Sequence, residues 1–296
     1  MPAPVVERYP FPVMSSDGGV SSSEARSELQ LGRSNQAIKR LRRLVVSKEE
    51  RYSQRTFVLE GSKVISAALS SNAHLEQLYV APSAWNDPAA LEVIEVAELT
   101  GCPVATLRDG VMEKIASSIT PQPLIALAQF VDVPLERVFN ADLVVISVDL
   151  GIPGNLGSSL RCADAAGADA FICTGNDSAD IYNPKTVRAS AGSIFNLPVV
   201  IARDPLDVLR RLRARGVKTF AAVAHGGKSP MSMPLQGKIA ITVGNEARGL
   251  PLELNDSIDS WLTIPMLGKA ESLNVASALA VVLFEVARQR GRLIGH

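Results

Sequence analysis

Over the second half of this chain, short apolar runs alternate with helical or glycine-rich segments, and this constrains its fold more than any other feature. The runs are Leu143–Asp149 (LVVISVD), Ala170–Thr174, Pro198–Ala202, Lys218–Val223, Ile239–Val243 and Trp261–Ile264. Strands that are apolar throughout are covered on both faces, the habit of a largely parallel sheet flanked by helices. A long helix over Ser272–Gln289 closes the chain. A smaller alternation precedes these runs: Thr56–Glu60, Lys63–Ser70, Leu75–Val80, Ala89–Leu99, Val104–Leu107, Val111–Ser117 and Leu124–Val131. Val133 to Asn140 reads as the linker between the two. The expectation is two α/β units, over residues 31–132 and 140–296. They follow a Ser-, Pro- and Gly-rich leader (1–30) expected to be disordered, because it buries too little to offset the entropy of ordering.

Composition removes several classes of function. With 47% hydrophobic and 20% charged residues the chain is that of a globular protein. Lys plus Arg (30) cancels Asp plus Glu (30), so no global field attracts or repels a polyanion. The most apolar stretch, Val275 to Phe284, contains Ser277 and falls short of the ~20 residues of a membrane span. The N-terminus has no basic start followed by an apolar run, so it does not read as a secretory signal, and a cytoplasmic protein is expected. Cys102, Cys162 and Cys173 are odd in number and unpaired in spacing, which fits buried thiols rather than disulfides or zinc. His74, His225 and His296 are scattered, so no metal is expected.

Charge is uneven on a local scale. Between Arg33 and Arg55 eight cations face only Glu49 and Glu50, a net of about +6. Ile38, Leu41, Leu44 and Val45 recur at helical spacing, which places the cations on the solvated side of an amphipathic helix. Two readings stay open there, an ordinary solvated face or an element that contacts phosphates and releases counterions.

Two sequence fragments are decoys. Gly227-Lys228-Ser229 lacks the upstream glycine of a phosphate loop, since Ala222 stands there, and Pro230 and Pro234 forbid the helix that must follow. Gly151, Gly154 and Gly157 do not have dinucleotide-binding spacing.

Three segments that follow strands carry more information. They are Pro153-Gly154-Asn155-Leu156-Gly157-Ser158-Ser159-Leu160-Arg161, Val243-Gly244-Asn245-Glu246-Ala247-Arg248-Gly249-Leu250-Pro251, and Ile264-Pro265-Met266-Leu267-Gly268-Lys269-Ala270-Glu271-Ser272-Leu273-Asn274-Val275. Ligands of open α/β sheets bind beyond the carboxyl ends of strands, so the three loops are candidates for one pocket. Each also has a local reading: Asn155 and Gly157 in a turn, Glu246 paired with Arg248, Ser272 capping the last helix.

Together the segments resemble the three ordered motifs of the SpoU (TrmH-like) branch of SPOUT RNA methyltransferases: Asn-x-Gly-x-x-x-Arg, Gly-x-Glu-x-x-Gly and Ile-Pro-Met-x-Gly-x-x-x-Ser-Leu-Asn-Val. The resemblance covers about residues 140 to 290, and the preceding unit is similar to that family's substrate-binding domain of ribosomal-protein L30e type. It implies a C-terminal trefoil-knotted, parallel-sheet domain that binds S-adenosylmethionine, a homodimer with its site at the subunit interface, and methyl transfer to a ribose 2′-hydroxyl of RNA. Structured large-subunit (23S) ribosomal RNA is the expected substrate. Transfer RNA, or a noncatalytic ribosome-assembly role, is the alternative. Housekeeping modification and protection against an antibiotic are both open.

Carried onto this sequence, the cofactor positions are Gly244, Ile264 and Leu273, with Asn245 and Met266 adjacent. The catalytic candidates are Asn155, Arg161, Glu246, Ser272 and Asn274. Arg188, in a segment similar to one that carries a substrate-side arginine, and Arg40, Arg42 and Arg43 are the RNA-binding candidates. A guanidinium stays protonated in almost any site, so Arg161 is expected to bind the phosphate beside the target ribose rather than act as a base. Asn155 and Asn274 are expected to orient Arg161, and Glu246 to organise it or receive the proton. Ala276, where many members have serine, and Pro123, where Pro-Gln-Gly is frequent, depart from the pattern. The second bears on RNA docking, because proline fixes φ and removes a donor.

Overall fold

The structure is a computed structural model that describes residues 30–118 and 120–293. The leader, apart from its last residue, and His296 lie outside the described residues. Helix α1 (Gln36–Val46) starts where the Asn35 side chain accepts from Ala37 N, and it buries Ile38, Leu41 and Leu44. Ser47 both ends α1 and caps α2 (Lys48–Gln54), which stops at Arg55 in the left-handed region. Strand β1 (Thr56–Glu60) leads to α3 (Ser62–Ser70), β2 (Leu75–Val80), α4 (Pro88–Leu99), β3 (Val104–Thr106), the single turn α5 (Met112–Ile115) and β4 (Leu124–Gln129).

These strands form one sheet in the order β1-β4-β2-β3, with β4 antiparallel to both neighbours and β2 parallel to β3. Strand alternation separates its two faces. Val58, Tyr79, Ile125 and Leu127 pack with Ile38, Leu41 and Leu44 of α1. Phe57, Leu59, Leu78 and Ala126 pack with Val64 and Ile65 of α3 and Val93 and Ile94 of α4.

The second sheet holds β5 (Leu143–Val148), β6 (Ala170–Thr174), β7 (Val199–Ala202), β8 (Lys218–Ala222), β9 (Ile239–Val243) and β10 (Ser260–Leu262). Its order is β10-β8-β9-β5-β6-β7 and every pairing is parallel, as the uninterrupted apolar runs predict. Leu143, Val145, Phe171 and Ile241 face α6 (Pro153–Ala165) and α9 (Val275–Gln289). Val144, Ile146, Ile172 and Ala240 face α8 (Pro205–Arg213) on the other side.

Several element ends shift by a residue or two from expectation, and three differences bear on the site. Residues 133–140 are not a free linker: Val133 N donates to Val199 O, and Leu135, Val138 and Phe139 are buried against the second sheet. The last helix begins at Val275 rather than Ser272, because Asn274 is its N-cap. The last strand ends at Leu262, and residues 263–274 form an irregular loop.

The two sheets share a junction. Helix α7 (Pro184–Ser190) packs on β1, and Tyr182 stacks on Phe130 with ring centroids 3.7 Å apart. Arg51, expected on a solvated face with the other cations, is instead buried in an ion pair with Asp180. Burial and the neighbouring Asp132 carboxylate raise the Tyr182 hydroxyl far above its ordinary pKa, so it stays a neutral donor to Asp132. Cys102 and Cys173 are buried as expected and Cys162 is half-buried. Among the described residues no helix is long and apolar enough to cross a membrane.

Candidate active site

The three motif segments meet at the carboxyl end of β5 and β9. Strand β5 hands directly to α6, whose first turn holds Asn155, and Pro153 there supplies a helical φ without an unmet donor. Beyond β9 the chain folds tightly on itself: Asn245 N donates to Gly249 O and Gly249 N to Asn245 O, at 3.0 and 2.9 Å. Gly244 makes the fold-back possible, since a Cβ there would lie 2.5 Å from the Gly249 carbonyl group. Asn245 then anchors the turn, with Nδ2 donating to Asp149 O at 2.8 Å and Oδ1 accepting from Ala247 N and Arg248 N.

One chain of hydrogen bonds ties the segments together. Asn274 Nδ2 donates to Asn155 Oδ1 at 2.9 Å, and Asn155 Nδ2 donates to Glu246 Oε1 at 2.8 Å. Gly151 N donates to the other oxygen of Glu246 at 3.3 Å. Asn274 Oδ1 is committed to Ala276 N at 2.9 Å as the cap of α9, so only its amide nitrogen faces Asn155. Among the described residues Glu246 is thus bonded to the Gly151 and Asn155 segment and not to Arg161 or to Arg248, which binds Asp177 at 2.6 Å. That hydrogen bond raises the Arg248 pKa above its ordinary value.

Beside this chain lies a cavity of about 350 Å³. Its walls come from residues 222–224 and 243–250 together with Leu262, Ile264, Met266, Ser272, Leu273, Val275 and Ala278. All five positions matched to the cofactor (Gly244, Asn245, Ile264, Met266, Leu273) line it, as do Glu246 and Ser272. A hollow of about 440 Å³ between α1 and α2 is lined by Arg43, Val46, Ser47, Glu49, Glu50 and Ser53. None of the motif loops reaches it.

The remaining candidates are dispersed. Arg161 is exposed on α6, and among the described residues its guanidinium makes no hydrogen bond or ion pair. No bond links it to Asn155 or Asn274, contrary to expectation, because those two amides are spent on each other and on Glu246. Arg188, on α7, donates to Ser117 Oγ at 3.2 Å and lies 4.0 Å from the buried Glu60 carboxylate. On α1, Arg40 is held by Glu76 and Gln54 at 2.8 and 2.7 Å, and Arg43 pairs with Glu50 at 3.3 Å. Arg42 is exposed and, among the described residues, unpaired.

Sequence reasoning missed Asp149 and Asp177. Asp149 sits in the left-handed region at φ 54°, and its Oδ1 accepts from Asp177 N at 2.8 Å, which shapes the loop beside Gly151. The available signal was the position of Asp149 at the end of the LVVISVD run, since Asp tolerates that conformation better than most residues.

The model of the SpoU rRNA Methylase family matches residues 142–284, and that of an MRM3-like substrate binding domain matches residues 35–126. The chain is 33% identical over 252 residues to the 23S rRNA (guanosine(2553)-2'-O)-methyltransferase RlmP of Bacillus subtilis, across 85% of this chain and 96% of that one. An AdoMet-bound rRNA methyltransferase from Sinorhizobium meliloti superposes with a TM-score of 0.77 at 30% identity, covering 89% of this chain and 97% of that one. The SpoU methyltransferase AviRb from Streptomyces viridochromogenes, in complex with AdoMet, also gives 0.77, at 27% identity, with 87% and 100% covered. With a family-model match over residues 142–284, matching architecture and similarity over most of both chains, this chain belongs to the SpoU rRNA methylase family.

Proposed function

We propose that this protein transfers a methyl group from S-adenosylmethionine to a ribose 2′-hydroxyl of large-subunit (23S) ribosomal RNA, acting in the cytoplasm as a homodimer. The observation that carries the reading is the hydrogen-bonded chain Asn274–Asn155–Glu246, which joins the three motif loops at the edge of one cavity. The relatives supply the substrate class, since RlmP is named a 23S rRNA 2′-O-methyltransferase.

The cavity fits the cofactor. Val223, Leu250, Leu262, Ile264 and Leu273 offer apolar walls to a purine, and the fold-back at Gly244 brings backbone polar groups of residues 244–250 to the same rim. Gly244, Asn245, Ile264, Met266 and Leu273 would hold it. Bound there, S-adenosylmethionine supplies a methyl group on a positively charged sulfur, an excellent leaving group.

The chain's own residues then orient and activate the hydroxyl. Arg161, exposed and uncommitted among the described residues, binds the phosphate next to the target ribose and favours negative charge developing on the 2′-oxygen. Asn155, Asn274 and Glu246 hold the loops so that ribose and cofactor meet in a near-attack arrangement. Ser272, at the cavity wall, donates or accepts at the ribose. Arg188 and the α1 cations Arg40, Arg42 and Arg43 grip the RNA backbone from the substrate domain, taken as residues 31–132, beside a methyltransferase domain at 140–296.

The homodimer reading is supported by an exposed stripe on α9, Val281 and Phe284, with Ile152 exposed just before α6. These apolar side chains lie on the two helices that carry or flank Asn155 and Asn274, so a second copy placed there would border the site. The family's trefoil knot belongs to the same reading and rests on the likeness to the family's solved structures.

Two measurements test the function: calorimetry with S-adenosylmethionine, and transfer of labelled methyl to protein-free 23S rRNA and to bulk tRNA in parallel. Cofactor binding with label in rRNA is expected. Label in tRNA alone replaces the substrate, and no cofactor binding removes the catalytic reading.

A further inference from the structure

We propose that Arg51 is a positioning residue for this reaction, fixing the basic helix α1 against the catalytic domain so that the two grip RNA at a set spacing. The proposal rests on the RNA-methylation reading above. Arg51 lies in α2 and is only 2% exposed. Its Nε and Nη2 donate to Asp180 Oδ2 at 2.9 and 2.6 Å, across the junction between the two sheets. Its Nη1 donates to Leu44 O and Val45 O at 2.7 and 3.2 Å, carbonyls of the last turn of α1. One guanidinium thus binds both the basic helix α1 and the catalytic domain, which the single point charge of lysine does not do.

The contact continues on the far side. Asp180 Oδ1 accepts from Tyr182 N at 3.0 Å and its carbonyl accepts from Thr186 Oγ1 at 3.0 Å, so the carboxylate sets the turn that opens α7 and carries Arg188. The Tyr182 hydroxyl accepts from Val131 N and Asp132 N at 3.0 and 2.8 Å and donates to Asp132 Oδ1 at 2.7 Å, closing the junction at a second point. Helix α7 then crosses α6 at Gly157, where a Cβ would lie 2.3 Å from Thr186 O. From α1 through Arg51, Asp180 and α7 to the helix bearing Asn155 and Arg161, the packing is unbroken.

Adhesion alone does not account for such a pair. Buried ions lose hydration, and apolar residues of similar volume hold two surfaces together at least as well. A forked guanidinium adds direction, because it accepts only one relative placement of α1 and Asp180. A structured RNA recognised by shape and backbone contacts is sensitive to that placement.

The test uses the full chain with Leu99→Cys on α4 and Arg210→Cys on α8, both exposed, spin-labelled in a Cys162→Ser background. With labelled protein diluted into excess unlabelled Cys162→Ser chain, so that each dimer holds one labelled copy, the wild-type junction gives a single narrow distance between the labels. The double substitution Arg51→Met with Asp180→Asn removes the ion pair but leaves an oxygen to accept from Tyr182 N, and Tyr182→Phe keeps the ring but removes the second bridge. Each is expected to broaden the distance distribution. On 23S rRNA each is expected to raise KM ~10-fold with kcat within ~3-fold, and to add methylated nucleotides, since the junction sets how RNA docks while the loops around the cavity are untouched. Equally narrow distributions in both variants, or an unchanged KM and methylation site, overturn the proposal. The distance measurement needs no turnover, so a wild type that is narrow but methylates no RNA overturns the functional reading and leaves the rigid coupling standing.

Discussion

Asn274 donates its Nδ2 to Asn155 Oδ1 at 2.9 Å while its own Oδ1 caps α9 by accepting from Ala276 N at 2.9 Å. The cap fixes which way the Asn274 amide points, and that in turn fixes Asn155, whose oxygen is taken and whose nitrogen must donate to Glu246. A helix terminus thereby sets the polarity of the polar chain at the site.

Asn274→Asp separates the two jobs. Aspartate caps as well as asparagine, so thermal stability is expected to stay within ~0.5 kcal/mol of wild type. It has no N–H to give Asn155, so kcat for methyl transfer is expected to fall by ~10- to 100-fold through lost preorganisation. Asn274→Ala loses the cap too, at an added cost of about 1 kcal/mol. Normal turnover by Asn274→Asp, measured beside a melting curve, would remove the orienting role.

Gly157→Ala tests the α6–α7 crossing. The new methyl would sit 2.3 Å from the Thr186 carbonyl oxygen and 2.7 Å from Ala189 Cβ, and a backbone oxygen cannot swing aside as a flexible side chain does. Overpacking of this kind costs about 3 kcal/mol, read as a lower denaturant midpoint at unchanged m. Wild-type stability would contradict the close approach.

The α1 arginines differ in what they are free to do. Arg42 is exposed, whereas Arg40 is already bound to Glu76 and Gln54. Arg42→Ala is therefore expected to lower the log–log salt slope of RNA binding by roughly 0.7 to 0.9, one phosphate contact's share, and Arg40→Ala by clearly less. Equal effects in a filter-binding titration over a range of salt would mean that the Arg40–Glu76 pair opens on RNA.

Much of this was legible in the sequence for a physical reason. Strands β1, β2, β6 and β9 were expected with the bounds found, because their apolar runs end sharply at turn residues. The cavity residues were found through motif order, since each motif follows a strand and strand ends converge in a parallel sheet. Less legible were pairings between residues far apart in sequence. Nothing local to Arg51 distinguishes it from Arg42 or Arg43, and only the fold brings Asp180 to it. Likewise the amide of Asn155 meets Glu246 and Asn274 rather than Arg161, a choice made by the α9 cap and invisible in motif spacing.

Acid should weaken the packing of α9 on the loop below it. Hydrogen bonding from Arg288, with help from Gln289, holds the Glu285 carboxyl down at about 2, below the ordinary carboxyl range. The unfolded chain takes up that proton first as pH falls, so the stabilisation is complete above the ordinary range and is lost as pH drops toward about 2. Glu285→Gln is expected to be less stable than wild type at neutral pH, with the gap closing across that window in urea melts at stepped pH. A gap independent of pH would assign the loss to packing instead.

Ribose methylation through Arg161 is read most directly by mass spectrometry of nucleosides from protein-free 23S rRNA incubated with S-adenosylmethionine and either the wild type or Arg161→Ala. A 2′-O-methylnucleoside made by the wild type and strongly reduced in the variant is expected, with RNA binding retained by both. A methyl group on a base, or equal product from Arg161→Ala, would contradict it.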